Sequence, residues 1–360
     1  QQAEYEAAAD NHAHALRLYT ELGDRLGQAN ALDNLGDVRR QRGEYKVAAD
    51  NHTRALELYT ELGDRLGQAN ALDNLGDVHR QKGEYDAAAH NHAHALRLYA
   101  ELDDRRGQST ALTNLGAVQY VRGEYEQAAH TLARAVELCT ALGDRRGEVN
   151  ALMGLGGLRY LRGEYEAAAR DFTRALELCA VLDNRVGQAN ALLGLGVVQR
   201  QRGEYDAADL NLTHALRLCT ALGYRWGQAT ALTYLGTVRR QRGEYETAVL
   251  NFTRALELYS GLGDPDGAAE TLNNLGDLTL DYPDAGDPDA YFSQAITIAR
   301  DIGNAKHEAR ALAGQARCLL RTTDTDKAIV LLREAHVLYQ SLGVPEATQI
   351  QNMLSTLENC

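Results

Sequence analysis

Histidine offers the most suggestive chemistry in this chain. His90 and His94 stand four residues apart, the separation that turns two imidazoles to one side of a helix as a metal pair, with His92 between them. Aligning the chain on itself weakens that reading. Position 94 corresponds to Arg54, Arg134, Arg174 and Arg254, a cationic surface slot, and His92 falls on an apolar packing face. The run Gly154-Leu155-Gly156-Gly157 hints at a phosphate loop, but it lies inside a helical pattern with no strand before it. Asn51-His52-Thr53, Asn211-Leu212-Thr213 and Asn251-Phe252-Thr253 fit glycosylation sequons, without a secretory signal to support them. Cys139, Cys179 and Cys219 share one position that is Tyr at 19, 59, 99 and 259. A residue that exchanges with Tyr on an apolar face is there for packing. No Cys-x-x-Cys site occurs, and the odd count of five, completed by Cys318 and Cys360, points to a reducing, cytoplasmic compartment. No nucleophile stands beside a base except where the repetition of the chain explains it. The expectation is therefore no enzyme, no metal and no cofactor.

The elements that position these residues come from a repeat. Gly-Glu-Tyr recurs at 43, 83, 123, 163, 203 and 243, always 40 residues apart, with a degenerate Ala3-Glu4-Tyr5 one period earlier. Leu18 to Val38 returns letter for letter as Leu58 to Val78. A fixed period of this size means one supersecondary unit stacked many times. Within one unit, Gly23 suits a left-handed helix end and Asp24 the next N-cap. A first helix is predicted over about 25–41, with Ala31, Leu32, Leu35 and Val38 at helical spacing. Gly36 sits mid-helix, where Gly costs about 1 kcal/mol against Ala. It recurs at 76, 116, 156, 196, 236 and 276, which implies a neighbouring helix crossing at close range. Gly43 ends the helix, and a second one carries Tyr45, Ala48, His52, Ala55, Leu56, Tyr59 and Leu62 inward. The pair is an αα-hairpin, apolar on both flanks, that must stack on its neighbours.

Leu35-Gly36, Gly43, Tyr45, Ala48 and Ala55 resemble the tetratricopeptide-repeat pattern. His52 departs from it, since the family usually has an aromatic or large apolar residue there. The 40-residue unit is similar to the subfamily found in kinesin light chains, Leu-Gly-Asn-repeat proteins and bacterial signalling proteins. The resemblance implies an all-α fold, a right-handed α-solenoid superhelix of about eight hairpins. It would run through 1–360 as one domain and end in a capping helix over about 346–358. A divergent repeat is expected near 281–322, where Asp-Tyr-Pro-Asp-Ala-Gly-Asp-Pro-Asp-Ala at 281–290 replaces the usual turn and a distorted helix starts near Pro288. Because Gln1-Gln2 falls in what reads as the second helix of a repeat, the chain is expected to be a piece of a larger protein.

The resemblance also implies that the first helix of each repeat lines a concave groove. The positions matching 30, 33, 34, 37 and 41 form its stripe. The stripe changes along the chain. Asn30, Asp33, Asn34 and Asp37, then Asn70, Asp73, Asn74 and Asp77, make an acidic, amide-rich section. Thr110, Thr113, Asn114, Ala117 and Val121 follow. Met153, Gly154, Gly157 and Leu161, then Leu193, Gly194 and Val197, are apolar, flanked by Tyr120 and Tyr160. Beyond lie Thr230, Tyr234, Thr237, Arg240 and Asn274. An apolar stretch on such a face marks a contact. The expected partner is a protein or peptide, with its basic part toward the Asp residues. A net charge of −13 argues against nucleic acid and against an anionic membrane surface. The rival reading is a small-molecule or peptide-pheromone sensor filling the apolar middle. A third is a self-assembly or rigid-spacer element using Leu210 and Leu250 on the outer helices.

Overall fold

The computed structural model describes residues 2–322 and 324–358. Cys360, the fifth thiol, lies outside the described residues. Among them are eighteen α-helices and one 3-10 turn at Pro283–Ala285, with no strand. They fall into two compact units, residues 1–183 and 184–360.

The first unit holds α1 (Gln2–Leu22), α2 (Arg25–Gln41), α3 (Tyr45–Leu62), α4 (Arg65–Gln81), α5 (Tyr85–Glu101), α6 (Arg105–Val121), α7 (Tyr125–Leu142), α8 (Arg145–Leu161) and α9 (Tyr165–Val181). The second holds α10 (Arg185–Gln201), α11 (Tyr205–Ala221), α12 (Arg225–Gln241), α13 (Tyr245–Leu262), α14 (Pro265–Asp281), α15 (Pro288–Asp301), α16 (Ala305–Arg321), α17 (Thr325–Leu342) and α18 (Glu346–Glu358). In each unit every helix packs on the next. The first helices of successive hairpins also touch one another, α2 on α4, α4 on α6 and α6 on α8, then α10 on α12, α12 on α14 and α14 on α16. Theirs is the inner layer of each unit, and the second helices form the outer one.

Local chemistry sets the helix boundaries. The Gly27 and Gly67 amides donate to the Asp24 and Asp64 carboxylates at 2.9 Å, N-caps that satisfy amides with no partner inside the helix. Gly63 ends α3 in the left-handed region at φ 70°. Asp103 and Asp183 take the same conformation at φ 52° and 50°, which short polar side chains tolerate where a branched one would not. α15 is shortened to 14 residues because Pro288, which lacks an N–H, opens it after the 3-10 turn.

The recurring mid-helix glycines are close-approach points. A methyl group on Gly36 would meet the His52 ring at 2.6 Å, and one on Gly236 would meet Phe252 at 2.6 Å. The helix pays its loss of propensity there so that a ring can cross over bare backbone. Cys139, Cys179 and Cys219 are fully buried thiols in no disulfide, on the outer helices, and burial pushes all three above the usual thiol range. No helix among the described residues is long and apolar enough to cross a membrane.

Candidate functional site

The inner layer begins with polar side chains that are already tied to each other. The Tyr59 and Tyr99 hydroxyls donate to Asn30 and Asn70 at 2.7 Å. The buried His52 ring shares a hydrogen bond through Nδ1 with Asp33 at 2.7 Å, and Asp33 accepts from the Asn74 amide of the next repeat at 3.3 Å. His92, Asp73 and Asn114 repeat the arrangement at 2.6 and 3.3 Å. Asp37 pairs with Arg40 at 3.4 Å and Asp77 with Arg80 at 3.3 Å along their own helices. Burial raises the Asp37 carboxyl above its ordinary range; His52 and Arg40 pull it back only in part. His52, a departure from the usual aromatic, is thus an aromatic-sized filler that also satisfies an acid.

Two repeats further, the same face opens. α4, α5, α6, α7 and α8 surround a cavity of about 450 Å³ lined by Arg80, Tyr85, Thr113, Ala117, Tyr120, Val121, Leu132, Asn150, Met153, Gly154 and Gly157. Its mouth is wide: Ala117, Val121, Asn150, Gly154 and 40 % of Tyr120 are exposed to solvent. The cavity exists because side chains are missing. Positions 154 and 157 are Asn and Asp in α2 and α4, and both are Gly in α8. A methyl group on Gly154 would touch Leu132 at 3.3 Å, but one on Gly157 would meet nothing within 4 Å. Gly157 is therefore unlike Gly156 beside it, whose added methyl would press on Phe172 at 3.0 Å. Asn150 differs from Asn30 and Asn70 as well, a change that Asn190, opposite Cys219, shares. The position that holds Asn30 and Asn70 through a tyrosine is Cys179 here, which has no hydroxyl to offer the Asn150 amide. Tyr120 packs its ring near Tyr125 at 6.0 Å, and Tyr160, half-buried, packs near Tyr165 at 5.9 Å.

The second unit treats the same positions differently. Leu193, expected to offer apolar surface, is only 6 % exposed, because it packs into the layer instead of standing on it. Val197 and Tyr234 are half-buried. Every residue from 271 to 280 on α14 is buried. Asp277 gathers Arg310 at 2.7 Å and Arg317 at 2.5 Å, Arg310 also donates to Asn274 at 2.6 Å, and Arg321 caps the Leu280 carbonyl at 2.6 Å. Arg240, expected to face a partner, reaches Asp281 at 2.6 Å. Burial alone would raise the Asp277 carboxyl, but Arg310 and Arg317 outweigh it and hold it below the usual carboxylate range.

Of the residues expected to form a groove, Tyr120 and Met153 are thus brought together around one cavity. Asn34, Asp37, Asn74, Asp77 and Asn114 lie on the polar section, and Asn34 is exposed. The cavity walls Tyr85 and Leu132, on second helices, were not expected. Nor was the Arg310–Asp277–Arg317 cluster, although its signal is in the sequence: Asp277 and Arg317 are one period apart with opposite charge. No group of three or more His, Cys, Asp or Glu placed to hold a metal occurs among the described residues. His90 and His94 meet only edge to face, 6.5 Å between ring centres. Asn51 and Asn251, the sequon asparagines of α3 and α13, are buried.

Two stacks of helix hairpins with inward first helices, glycine crossings and a 40-residue period define a helical-repeat solenoid. The chain belongs to the tetratricopeptide repeat family, whose profile matches residues 1–61, 48–101, 67–141, 107–180 and 147–221. Among solved structures, the apo form of the quorum sensor NprR from B. thuringiensis superposes with a TM-score of 0.69 at 14 % identity, over 94 % of this chain and 99 % of that one. Apo RapI gives 0.66 at 14 % identity, over 77 % and 99 %. A signal transduction ATPase with numerous domains and a tetratricopeptide repeat sensor, from Pyrococcus horikoshii, gives 0.65 at 15 % identity, over 98 % of this chain and 55 % of that one. At such identities the likeness is one of fold. A search of curated proteins finds no significant match.

Proposed function

We propose that this chain is a non-catalytic protein- or peptide-binding module, used as a scaffold or as the sensor part of a signalling protein. Its partner lies along the inner layer of residues 1–183. The observation that carries this is the change of that face from polar groups paired among themselves to an open apolar cavity around Tyr120 and Met153. An apolar hollow with a polar rim on an otherwise satisfied surface is where a partner's anchor is desolvated. The quorum-sensor and ATPase-sensor neighbours favour the sensor use. The rival, a small-molecule sensor, draws support from a volume within the ~300–1,000 Å³ of ligand pockets. The wide mouth favours a chain that can enter sideways.

Selection of a random peptide library on the full chain tests the reading. Selected peptides should lose at least about tenfold in affinity when Tyr120→Ala and Met153→Asp are combined, with helix content unchanged. Asp37→Asn with Asp77→Asn should weaken them mainly at low salt, through the association rate. Peptides that bind instead around the exposed Leu210 and Leu250 and ignore these substitutions would sink the inner-face reading and favour self-assembly.

A further inference from the structure

One column of the outer layer changes character along the chain. It reads Asp10, Asp50, His90, His130 and Arg170 in the first unit, then Leu210, Leu250, Ala290 and Val330 in the second. The second set is not packed away: Leu210 is 70 % exposed and Leu250 58 %. Single exposed leucines are ordinary, but two at one repeat position in successive hairpins make a patch. Each of them stands between opposite charges. Asp206 and His214 flank Leu210 on α11, and Glu246 and Arg254 flank Leu250 on α13. Each flank is four residues away, so about 6 Å along the same helix face. All four flanking residues are exposed. Asp206 already reaches Arg242 at 3.2 Å. Glu246 has lost that kind of partner, because the residue matching Arg242 is Tyr282, which stacks on Tyr245 instead. Neither Glu246 nor Arg254 meets an opposite charge among the described residues.

We infer that this patch pairs two copies of the chain, about a twofold axis that crosses α11 and α13 at Leu210 and Leu250. A twofold contact requires a surface complementary to itself. The ridge Glu246–Leu250–Arg254 is such a surface. When α13 lies antiparallel to the α13 of a second copy, Leu250 meets Leu250 and Glu246 meets Arg254 at both ends. α11 repeats the match more weakly, with His214 opposite Asp206, which is already shared with Arg242. The rest of the column fails the same test, and so confines the contact. On α5, α7 and α9 the middle residues His90, His130 and Arg170 would each meet their own like, and on α17 Asp326 would meet Glu334 beside Val330. Two helices a side make a small contact, at the low end of specific interfaces, so the dimer should form at about 100 µM chain. The pairing is independent of the inner-face reading, because it uses the outer helices and leaves the inner layer open.

Sedimentation equilibrium of the full chain from ~10 µM to ~1 mM tests the pairing. The mass should rise from that of one chain to that of two and stop there, since a twofold contact closes on itself. Leu250→Asp should weaken the dimer at least about tenfold, with helix content unchanged. Glu246→Arg alone and Arg254→Glu alone should each weaken it several-fold at low salt, because each brings like charges together at both ends. An equimolar mixture of these two variants should dimerise at least as well as the native chain, since the surplus charge of one answers that of the other. About 0.5 M salt should narrow all three differences. The inference is overturned if the chain stays a monomer throughout, which would give the patch to some other occupant. It is also overturned if association runs past the dimer, if Leu250→Asp changes nothing, or if the mixture pairs no better than its components. Combining Tyr120→Ala with Met153→Asp should leave the dimer intact, and loss of the dimer there would move the contact to the inner layer. The two readings fail separately. A monomer that selects inner-face peptides keeps the functional reading and removes the pairing, and a dimer that selects none does the reverse.

Discussion

α8 in the first unit and α14 in the second hold the same place in their hairpins, yet one is emptied and the other filled. Gly157 on α8 looks into open space, whereas its counterpart Asp277 on α14 gathers two guanidiniums. Met153 is half-buried and Gly154 exposed, while their counterparts Asn273 and Asn274 lie in the stretch 271–280 that is buried throughout. Both helices run 17 residues from an Asp N-cap, so at these positions the contrast lies in the side chains. A repeat protein can make a hollow by deleting two side chains and can close the matching helix face by adding charged pairs.

The sharpest way to break this contrast is to disarm Asp277. Asp277→Asn leaves Arg310 and Arg317 facing each other without their acid and should cost about 2 kcal/mol. That is less than the ~3–5 kcal/mol of a fully buried pair, because Arg317 keeps solvent contact. Hydrogen exchange of α14 should rise, with α8 unaffected. The pH response follows from the direction of each shift. Asp277 is depressed in the folded state, so its stabilisation is complete above the ordinary carboxylate pKa of about 3.9 and is lost as pH falls through the lower folded value. Asp37 is raised, chiefly by burial, so the folded chain binds its proton first and the first unit gains stability as pH falls toward that same 3.9. Denaturation series from pH 7 to 3 should show the acid loss disappear in Asp277→Asn and the gain disappear in Asp37→Asn.

Glycine substitutions come next in size. Gly276→Ala presses a methyl into Phe292 at 2.6 Å and should destabilise by about 1–2 kcal/mol. Gly157→Ala should instead stabilise by about 0.5–1 kcal/mol, since nothing opposes the methyl. A loss of stability there would mean that the space beside Gly157 is not empty. The smallest effect belongs to Asp77→Asn, which removes a partly exposed pair at 3.3 Å and should change stability by less than ~0.5 kcal/mol. A larger loss would make the polar section a structural element comparable to the α14 cluster.

The hairpins, their caps and the glycine crossings were legible because each rests on local chemistry that recurs every 40 residues. The first-helix side of the cavity was legible for the same reason: Met153, Gly154 and Gly157 break a pattern that α2 and α4 establish. Its other wall was not, because Tyr85 and Leu132 belong to second helices and read as ordinary packing residues. The polar pairings were present as covariation inside the chain. Where His52 and His92 occur, Asp33 and Asp73 face them; where Leu132, Phe172, Leu212 and Phe252 take over, the acid becomes Thr113, Met153, Leu193 and Thr233. The exposure of the expected contact residues was not readable, because Leu193 and Arg240 are turned from surface into structure by how helices from successive repeats meet.

The letter-for-letter return of Leu18 to Val38 as Leu58 to Val78 has its own physical counterpart. The two copies make the same caps, and Arg25 pairs with Glu61 as Arg65 pairs with Glu101. Even the first residues to differ, Arg39 and His79, serve the same acid, Glu44 and Glu84 at 2.6 and 2.5 Å. Excising residues 39–78 would therefore join Val38 to His79 with each remaining interface meeting the partner type it meets now. Unequal crossing-over between the two copies in the gene would do the same. The spacing between the pocket and whatever precedes it is thus the property of this molecule that heredity can retune in one step, in increments of a single hairpin.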